Sequence, residues 1–583
     1  MPKRRSPKAF CSPRMPTLAI VGALLIAAFL TPFYFLQNGW IEWTNPYWFM
    51  QIQSEYLRHG LLPSPFINSP SSGWMYPNNL FYAGVELAIM GAFSTILGAW
   101  NVFFLSLWIA YFATFFSIWY VGTAITNRPK LGFLMGLAVT TTPYWITNTY
   151  GRGAWAELMG ASATCVTLAS ITAVLIGRSQ RERIIARQLL PAAVFILATV
   201  HNVSLLISAL ALPAILLSLI VFSNFNSRTL LRRLALVVGL TLIGISMAAI
   251  VLLPNLMLGP WTLIHSWNLT QANPAFDSLR VIFSPIPYTP PTRDGSLLKA
   301  QTCVPVAFAA LLGALIGFSS IRRQNMIRRY LGLLLISMAI VITVLGMTST
   351  QTWEYFPAPV RAIQFPYRLH SMLAVEIVIL FGMLSRISGR RHRRIMAMLL
   401  FCAVLLQTAF AFDQAVTTPA TAPPGIRPAT ASDIVTNEVP VAFSTGWAAP
   451  IQFRLTEPPA LPLPAASINT RLDRPMIGDI VSLHPVRAGV FSTSVVYSPL
   501  IRATGGAHIL GRAGDGTAIV VIAGRSANTA TIVPVCTGFY CLSLSRAIPR
   551  FMQTSAWLTL LGFAAWLSIA LGEFYRARRL NSR

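Results

Sequence analysis

Residues 39–66 read GWIEWTNPYWFMQIQSEYLRHGLLPSPF, and residues 73–82 read GWMYPNNLFY. These polar segments follow an apolar run, Pro16 to Leu36, which has about the 20 residues that a bilayer-spanning helix needs. The segment therefore begins at a membrane face. It sets carboxylates, Glu42 and Glu55, among tryptophan and tyrosine side chains that favour the lipid headgroup region. The stretch is a candidate mouth for a site that handles a lipid-linked molecule.

The composition indicates a membrane protein with many spans. Of 583 residues, 55% are hydrophobic and only 10% are charged, and the mean hydropathy is +0.61. A soluble globular chain is less apolar and more charged. We therefore predict an all-α polytopic membrane protein that also has a small extracytoplasmic β-rich domain before its last helix.

The basic residues that give the chain its net charge of +27 are distributed in a way that indicates its membrane topology. If the polar gaps are taken alternately as inside and outside, the inside gaps hold 27 of the 44 Lys and Arg residues, and the outside gaps of the membrane half hold seven. Basic residues accumulate on the cytoplasmic side of membrane proteins. This distribution predicts a multi-pass protein of a bacterial cytoplasmic membrane with both termini in the cytoplasm, and it argues against nucleic acid as a partner.

Hydrophobic length and flanking charge predict twelve spans, which we place at about residues 15–36, 101–125, 131–148, 155–177, 188–203, 204–223, 232–254, 302–320, 330–348, 369–385, 395–412 and 552–574. The segment Leu80 to Leu97 is also apolar. Counting it as a crossing would put every later basic cluster outside, so we expect it to lie along the exterior face or to re-enter the bilayer.

The predicted organisation has four parts. Residues 1–14 form a basic cytoplasmic N-terminus, and residues 15–412 form the transmembrane bundle with a long first exterior loop at 37–100. Residues 413–550 begin with a Pro/Ala/Thr-rich linker and continue with short β-type runs, which predict an extracytoplasmic β-rich domain. Residues 551–583 form the final helix and a basic cytoplasmic tail. Cys536 and Cys541 lie close enough in sequence for a disulfide on the exterior side.

Only 17 acidic residues occur in the chain, so few carboxylates are available for chemistry at the exterior face. Glu42 lies just beyond the first span, where it could accept a proton from an acceptor hydroxyl. A solvated loop glutamate is the alternative for this residue.

Arg152 and Glu157 lie close in sequence at the next exterior interface, in GRGAWAE. A guanidinium group suits phosphate oxygens, so Arg152 could hold the phosphate of a lipid carrier while Glu157 orients it. The alternative is a local ion pair that caps the hairpin.

Three further polar positions interrupt apolar segments. His201 and Asn202 lie where two spans should turn, and they either face a cavity or serve as turn residues. Gln364 and Arg368, with Trp353, combine hydrogen-bond donors and aromatic surface suited to a sugar ring, although an interfacial aromatic belt would look similar. Glu376 lies inside an apolar run, and we expect Arg368 or His370 as its partner.

No HExxH, DxD, CxxC, P-loop, GxSxG or GxGxxG motif occurs in a suitable context, so metal-hydrolase, NTPase and serine-hydrolase functions have no support. No cofactor is predicted. A divalent metal that arrives with the substrate is the open alternative, although no motif indicates one.

An ordered set of segments resembles a known family. The segments are LRHGLLPSPF, GWMYPNNLFY, PYW with GRGAWAE, ATVHN, ISMAAIVLLPNL and WEYFPAPVRAIQFPYR. Across about residues 15–412 the chain resembles the bacterial polytopic membrane proteins named 6-pyruvoyl-tetrahydropterin synthase-related, which are similar to the GT-C superfamily of lipid-linked-sugar glycosyltransferases.

The resemblance implies a GT-C-like bundle whose first exterior loop supplies a catalytic carboxylate and whose donor is a polyprenyl-phosphate sugar. By position, Glu42 would be the base, Arg152 and Arg368 would contact phosphate and sugar, and the stretch from Gly73 to Tyr82, which includes Tyr76, would form a wall. Glu157, His201, Asn202, Gln364 and Trp353 complete the predicted donor-binding set. The GT-C pattern has an aspartate in this loop, where the present chain has Glu42 and Asn45.

These observations predict a membrane glycosyltransferase that transfers a sugar from the lipid-linked donor to an extracytoplasmic glycan or lipid acceptor. Two alternatives belong to other classes: a multi-span transporter or flippase, and a non-catalytic scaffold for envelope assembly. A transporter should place its polar features near mid-membrane in two related halves. Here the polar residues gather on one face.

Overall fold

The computed structural model describes residues 15–36, 44–69, 73–146, 148–149, 153–177, 179–223, 227–263, 279, 310–313, 327–361, 363, 366–417, 455–464, 466–472, 480–485, 488–523, 530–536, 538 and 548–581. Its α-helices, in chain order, are α1 (Met15–Leu36), α2 (Thr44–Arg58), α3 (Gly84–Leu97), α4 (Ala99–Thr126), α5 (Pro129–Thr140), α6 (Pro143–Ile146), α7 (Trp155–Ile176), α8 (Gln180–Val200), α9 (Asn202–Ser223), α10 (Ser227–Met247), α11 (Ala249–Leu258), α12 (Ile327–Thr348), α13 (Thr350–Glu354), α14 (Ala358–Arg361), α15 (His370–Ile387), α16 (Arg390–Thr417) and α17 (Arg550–Asn581).

Within these residues, nine helical segments are long and apolar enough to cross a membrane, which makes the chain a multi-pass membrane protein. They are Ala99–Thr126, Trp155–Ile176, Gln180–Val200, Asn202–Ser223, Ser227–Met247, Ile327–Thr348, Pro366–Ile387, Arg390–Ala409 and Arg550–Tyr575. Each coincides with one of the twelve predicted spans.

The other three predicted spans differ. In α1 the apolar part is shorter, Pro16–Pro32. The span predicted at 131–148 is divided into α5 and α6, since Pro143 begins a new helix after Thr140. The span predicted at 302–320 lies almost entirely outside the described residues, which include only 310–313 of it.

Arginine side chains cover helix C-termini at one end of the bundle. Arg386 Nη1 donates to the Ile125 carbonyl at 2.6 Å near the end of α4, and Arg183 Nη1 donates to the Gly177 carbonyl at 2.9 Å after α7. Cations at helix C-termini satisfy open carbonyl groups and complement the helix dipole. This end is the one that the charge distribution predicts to be cytoplasmic.

The first exterior segment, predicted as a long loop at 37–100, contains regular secondary structure in its described part. It contains α2, a short hairpin of β1 (Ile67–Ser69) and β2 (Gly73–Tyr76), a 3₁₀ turn at Asn78–Leu80, and α3. Tyr47 of α2 packs edge-on against Trp100 and Phe103, and its burial raises its pKa to about 12. The helix is therefore held on the bundle by aromatic contacts.

Helix α3 covers the segment expected to lie along the exterior face or to re-enter. It has 14 residues, fewer than the roughly 20 that a full crossing needs. Gly98 follows it with φ +82°, a conformation that favours glycine, and α4 begins at once. The chain thus turns sharply between a short apolar helix and a long spanning helix.

The remaining strands are β3 (Asn469–Leu472), β4 (Val481–His484), β5 (Gly489–Val496), β6 (Ile501–Thr504), β7 (Ala507–Arg512), β8 (Thr517–Ile522) and β9 (Thr531–Pro534). Together with β1 and β2, these strands form one sheet in the order β1-β2-β5-β8-β7 and another in the order β3-β4-β9-β6. The predicted β-rich domain at 413–550 starts later than residue 413, because α16 continues to Thr417. Its linker lies largely outside the described residues, as does Cys541, whereas Cys536 is disulfide-bonded.

The β region and the first exterior segment share one sheet. Strand β2 pairs in parallel with β5, with Trp74 opposite Val495. One hydrophobic core joins Phe66 and Met75 of the first segment to Phe491 and Ile532 of the β region and to Met552 of α17. The segment after the first helix and the domain before the last helix are therefore built as one unit.

Candidate functional site at the ends of helices α7 and α15

Glu157 lies in the first turn of α7 with only 3% of its surface exposed. A carboxylate is favoured there because the helix dipole is positive at the N-terminus. The Tyr144 hydroxyl of α6 donates to Glu157 Oε1, and Asn148 Nδ2 donates to the same oxygen at 3.1 Å. The segment that precedes α7 therefore folds back to hold this carboxylate.

Arg368 supplies the opposite charge. It lies in a 3₁₀ turn, Pro366–Leu369, that leads into α15, and it is 7% exposed. Its Nε is 3.2 Å from Glu157 Oε2. Taking two charges out of water is costly, so a buried pair of this kind depends on further hydrogen bonds such as those of Tyr144 and Asn148.

His370 completes the group. Its ring stacks on that of Tyr144, with centroids 5.4 Å apart and planes inclined by 29°. We call Tyr144, Asn148, Glu157, Arg368 and His370 the Glu157–Arg368 cluster. It joins three chain segments that lie at the ends of α6, α7 and α15 away from the helix ends covered by arginine.

The turn that carries His201 and Asn202 packs against α7 at Gly160, about one helical turn beyond Glu157. His201 Nδ1 accepts a hydrogen bond from the Ser204 backbone N–H at 3.2 Å and lies 2.8 Å from Ser204 Oγ. Asn202 begins α9. A Cβ added at Gly160, three residues after Glu157, would meet the Ser204 side chain at 2.5 Å and His201 Cβ at 3.5 Å. His201 thus lies at the turn between α8 and α9, partly exposed and in contact with Ser204.

Trp353 and Tyr76 are buried in other elements. Trp353 lies in α13 with its ring centroid 5.4 Å from that of Phe356. Phe356 and Leu369 both flank Gly346, so α13 lies beside the segment that carries Arg368. Tyr76 is fully buried at the end of β2, opposite Ile67. Tyr76 lies in the stretch from Gly73 to Tyr82 that was predicted to form a wall of the site. In the structure this stretch begins with strand β2.

Three predicted site residues, Glu42, Arg152 and Gln364, lie outside the described residues. The local ion pair between Arg152 and Glu157, one of the two roles considered for them, therefore lies outside the described residues. Among the described residues, Arg368 is a cation beside Glu157. The partner expected for Glu376 is wrong: the Thr343 hydroxyl donates to Glu376 Oε1 at 3.4 Å, rather than Arg368 or His370.

Tyr144 and Asn148 were not singled out from the sequence. Both stand in TTTPYWITNTYGRGAWAE, a stretch unusually polar for one that joins two apolar helices, and that polarity was the available signal. A hollow of about 10 Å³ lies beside Asn148, between Trp155, Leu158 and Phe103, which is about the size needed for one water molecule. In the described part of the chain, no three His, Cys, Asp or Glu residues are grouped as metal ligands would be.

The fold and the buried cluster define a multi-pass membrane protein with a polar site at one end of its helices. No protein family model matches the chain, and neither does any curated protein. Two solved structures of the Archaeoglobus fulgidus oligosaccharyltransferase show a partial likeness. The apo form gives a TM-score of 0.43 at 11% identity and covers 79% of this chain and 63% of its own. The form with zinc and sulfate gives 0.36 at 12% identity and covers 68% and 53%. The chain thus spans less than two thirds of either structure, and TM-scores at this level do not establish a common fold.

Proposed function

We propose that this chain is an integral membrane glycosyltransferase that transfers a sugar from a polyprenyl-phosphate donor to an extracytoplasmic glycan or lipid acceptor. The observation that carries the proposal is the buried ion pair between Arg368 and Glu157, at the ends of α15 and α7 that the charge distribution predicts to be extracytoplasmic. Ionisable side chains between membrane helices are expensive and mark substrate pathways. The ordered sequence segments that resemble lipid-linked-sugar enzymes include both residues of this pair.

The chemistry of the pair suits a phosphate-bearing donor. The Arg368 guanidinium is planar and always charged, and arginine binds phosphate oxygens as a two-pronged donor. In the proposed reaction the donor phosphate exchanges with Glu157 as the counterion of Arg368. Tyr144 and Asn148 donate to Glu157 Oε1, whereas Arg368 Nε lies beside Oε2, so Glu157 keeps hydrogen-bond partners during the exchange.

The transfer breaks the bond between the sugar anomeric carbon and the phosphate oxygen and forms one to the acceptor oxygen. The bonding electron pair leaves with the phosphate, where the Arg368 charge stabilises it. Glu42, the predicted base, takes the proton of the acceptor hydroxyl. Arg152 and Gln364 are the further donor contacts that we propose, and the β region would orient the acceptor.

The test uses purified protein reconstituted in vesicles with a panel of radiolabelled polyprenyl-phosphate sugars. We expect Glu42→Gln to lower turnover by about 10²–10⁴-fold, the usual contribution of a general base. Arg368→Lys keeps the charge but removes the two-pronged geometry, and it should also lower turnover. The matched control is Arg361→Lys, because Arg361 is exposed on the same chain segment. It should leave turnover unchanged.

Two results would contradict the proposal. The absence of turnover by the wild-type protein with every donor would favour a non-catalytic scaffold. Movement of the labelled lipid between leaflets without sugar transfer would favour a flippase.

A further inference from the structure

A second polar site lies at the opposite end of the bundle. A cleft of about 720 Å³ opens between the end of α4, the start of α5, the start of α12, the end of α15 and the start of α16. Helix α15 has Arg368 just before its first residue and Arg386 in its last turn, so the cleft and the Glu157–Arg368 cluster lie at opposite ends of one helix. The cleft is therefore separate from the proposed donor site.

The cleft is strongly basic. Seven of its lining residues are cationic: Arg128, Lys130, Arg329, Arg386, Arg390, Arg393 and Arg394. No acidic side chain occurs among the described residues that line it. Like charges gathered in one hollow repel one another, and the field of such a hollow attracts anions.

Covering helix ends explains only part of this charge. Arg386 donates to the Ile125 carbonyl at 2.6 Å, and Arg393 Nη2 donates to the Ser388 carbonyl at 2.7 Å. The other five cations lie on three separate segments. Arg128 and Lys130 lie at the start of α5, Arg329 lies at the start of α12, and Arg390 and Arg394 lie at the start of α16. A general excess of basic residues on one membrane side needs only exposure to water and does not require convergence on one hollow. Arg232 and Arg391 show this simpler arrangement, because both are exposed and neither lines the cleft.

The lining also includes apolar residues on the short helix α5 and on the spanning helix α16, beside the polar Thr126 and Asn127. Leu131 and Leu134 of α5 and Ala397 of α16 contribute to the wall. A cleft that combines cations at helix ends with an apolar wall matches a phospholipid, whose phosphate lies at the headgroup level and whose chains lie along the helices. A free anion in water would gain nothing from the apolar wall.

We propose that this basic cleft binds the headgroup of an anionic phospholipid that carries two phosphates. The chemistry shared with soluble ligands is the phosphate group. Cations from separate chain segments line this one cleft, so two linked phosphates can engage more of them than one phosphate can. The apolar wall assigns the ligand to the bilayer rather than to the aqueous phase. The bound lipid would neutralise the cleft and tie α5, α12 and α16 together.

The test compares two double variants of equal charge. Arg390→Gln with Arg394→Gln removes two cations one turn apart from the cleft, and Arg232→Gln with Arg391→Gln removes two exposed cations outside it. Each protein is placed in phosphatidylcholine nanodiscs that contain a two-phosphate lipid such as cardiolipin, or phosphatidylglycerol at matched charge. Retained lipid is counted by native mass spectrometry. Thermal unfolding in detergent without added lipid checks that both variants fold.

We expect the cleft variant to lose about tenfold in retention of the two-phosphate lipid, since each basic side chain contributes to anionic lipid binding, and the control variant to change little. Equal retention by the two variants would overturn the proposal. Equal retention of phosphatidylglycerol and the two-phosphate lipid would overturn the assignment of two phosphates. If inorganic pyrophosphate raised the thermal unfolding midpoint and the two-phosphate lipid did not, the proposal that the ligand is a lipid would be overturned.

Discussion

Arg368 Nε lies 3.2 Å from Glu157 Oε2, and this buried pair joins the start of α7 to the start of α15. The two helices belong to distant parts of the chain. Their pairing gathers Tyr144, Asn148 and His370 around one carboxylate and one guanidinium. A polar centre is thereby held between helices from distant parts of the chain.

Breaking this pair from one side should destabilise the protein. Arg368→Gln leaves Glu157 buried without its cation, and Glu157→Gln leaves Arg368 without its anion. Removing one partner of a buried ion pair costs about 3–5 kcal/mol. Thermal unfolding in a fixed detergent should show both single variants with clearly lower midpoints than the wild type.

The double variant Glu157→Gln with Arg368→Gln separates stability from activity. Because it removes both charges, it should lose much less stability than the sum of the single variants. If the pair also handles the donor phosphate, the double variant should fold and still fail to transfer sugar. A folded double variant with wild-type turnover would show that the pair is only structural.

Gly160 provides a test of the packing between α7 and the turn at His201. A Cβ at Gly160 would lie 2.5 Å from the Ser204 side chain, whereas one at Gly239 meets nothing within 4 Å. Gly160→Ala should therefore destabilise the protein by about 1–3 kcal/mol, the usual cost of overpacking. Gly239→Ala is the matched control and should be neutral or slightly stabilising, since alanine favours helices.

A second substitution checks the cause of that effect. Ser204→Gly removes the atoms that the new methyl group would meet, so it should recover part of the stability lost in Gly160→Ala. The unfolding midpoints of the two single variants and the double variant measure this coupling. A loss of stability in Gly160→Ala that Ser204→Gly does not reduce at all would show that the contact is not its cause.

The sequence predicted the spanning helices well because the signal is local. An apolar run of about 20 residues bounded by basic residues is recognisable without knowledge of any partner. Nine predicted spans coincide with such helices. By contrast, α2 was taken for loop because its 15 residues, TNPYWFMQIQSEYLR, are too few and too polar to form an apolar run of spanning length.

Contacts between distant segments could not be predicted in the same way. Glu157 and Arg368 were each recognised as polar residues at helix ends, yet only the fold shows that they meet. The strand at Gly73–Tyr76 was expected to be a wall of the site, and its pairing with β5 depends on residues more than 400 positions later. Strand pairing leaves no mark in either segment beyond a general β tendency.

The charge distribution makes a direct prediction about topology. Because 27 of the 44 Lys and Arg residues fall in the gaps assigned to the inside, green fluorescent protein fused after Arg583 should fluoresce in the bacterial cytoplasm. Alkaline phosphatase fused after Thr348, at the end of α12, should be active outside. An active phosphatase fused after Thr126, at the end of α4, would contradict this orientation.

The parallel pairing of β2 with β5 predicts a specific cross-link. Neighbouring strands lie about 4.8 Å apart, which is within the Cα separation of roughly 4.4–6.8 Å that a disulfide spans. Trp74→Cys with Val495→Cys should therefore form a disulfide under mild oxidation, detected by mass spectrometry of unreduced peptides. Trp74→Cys with Val490→Cys is the matched control, because Val490 lies on the same strand five residues before Val495, about 16 Å away along it. Cross-linking to position 490 in preference to 495 would show that the register is wrong. The absence of any cross-link would show that the first exterior segment and the β region do not pair.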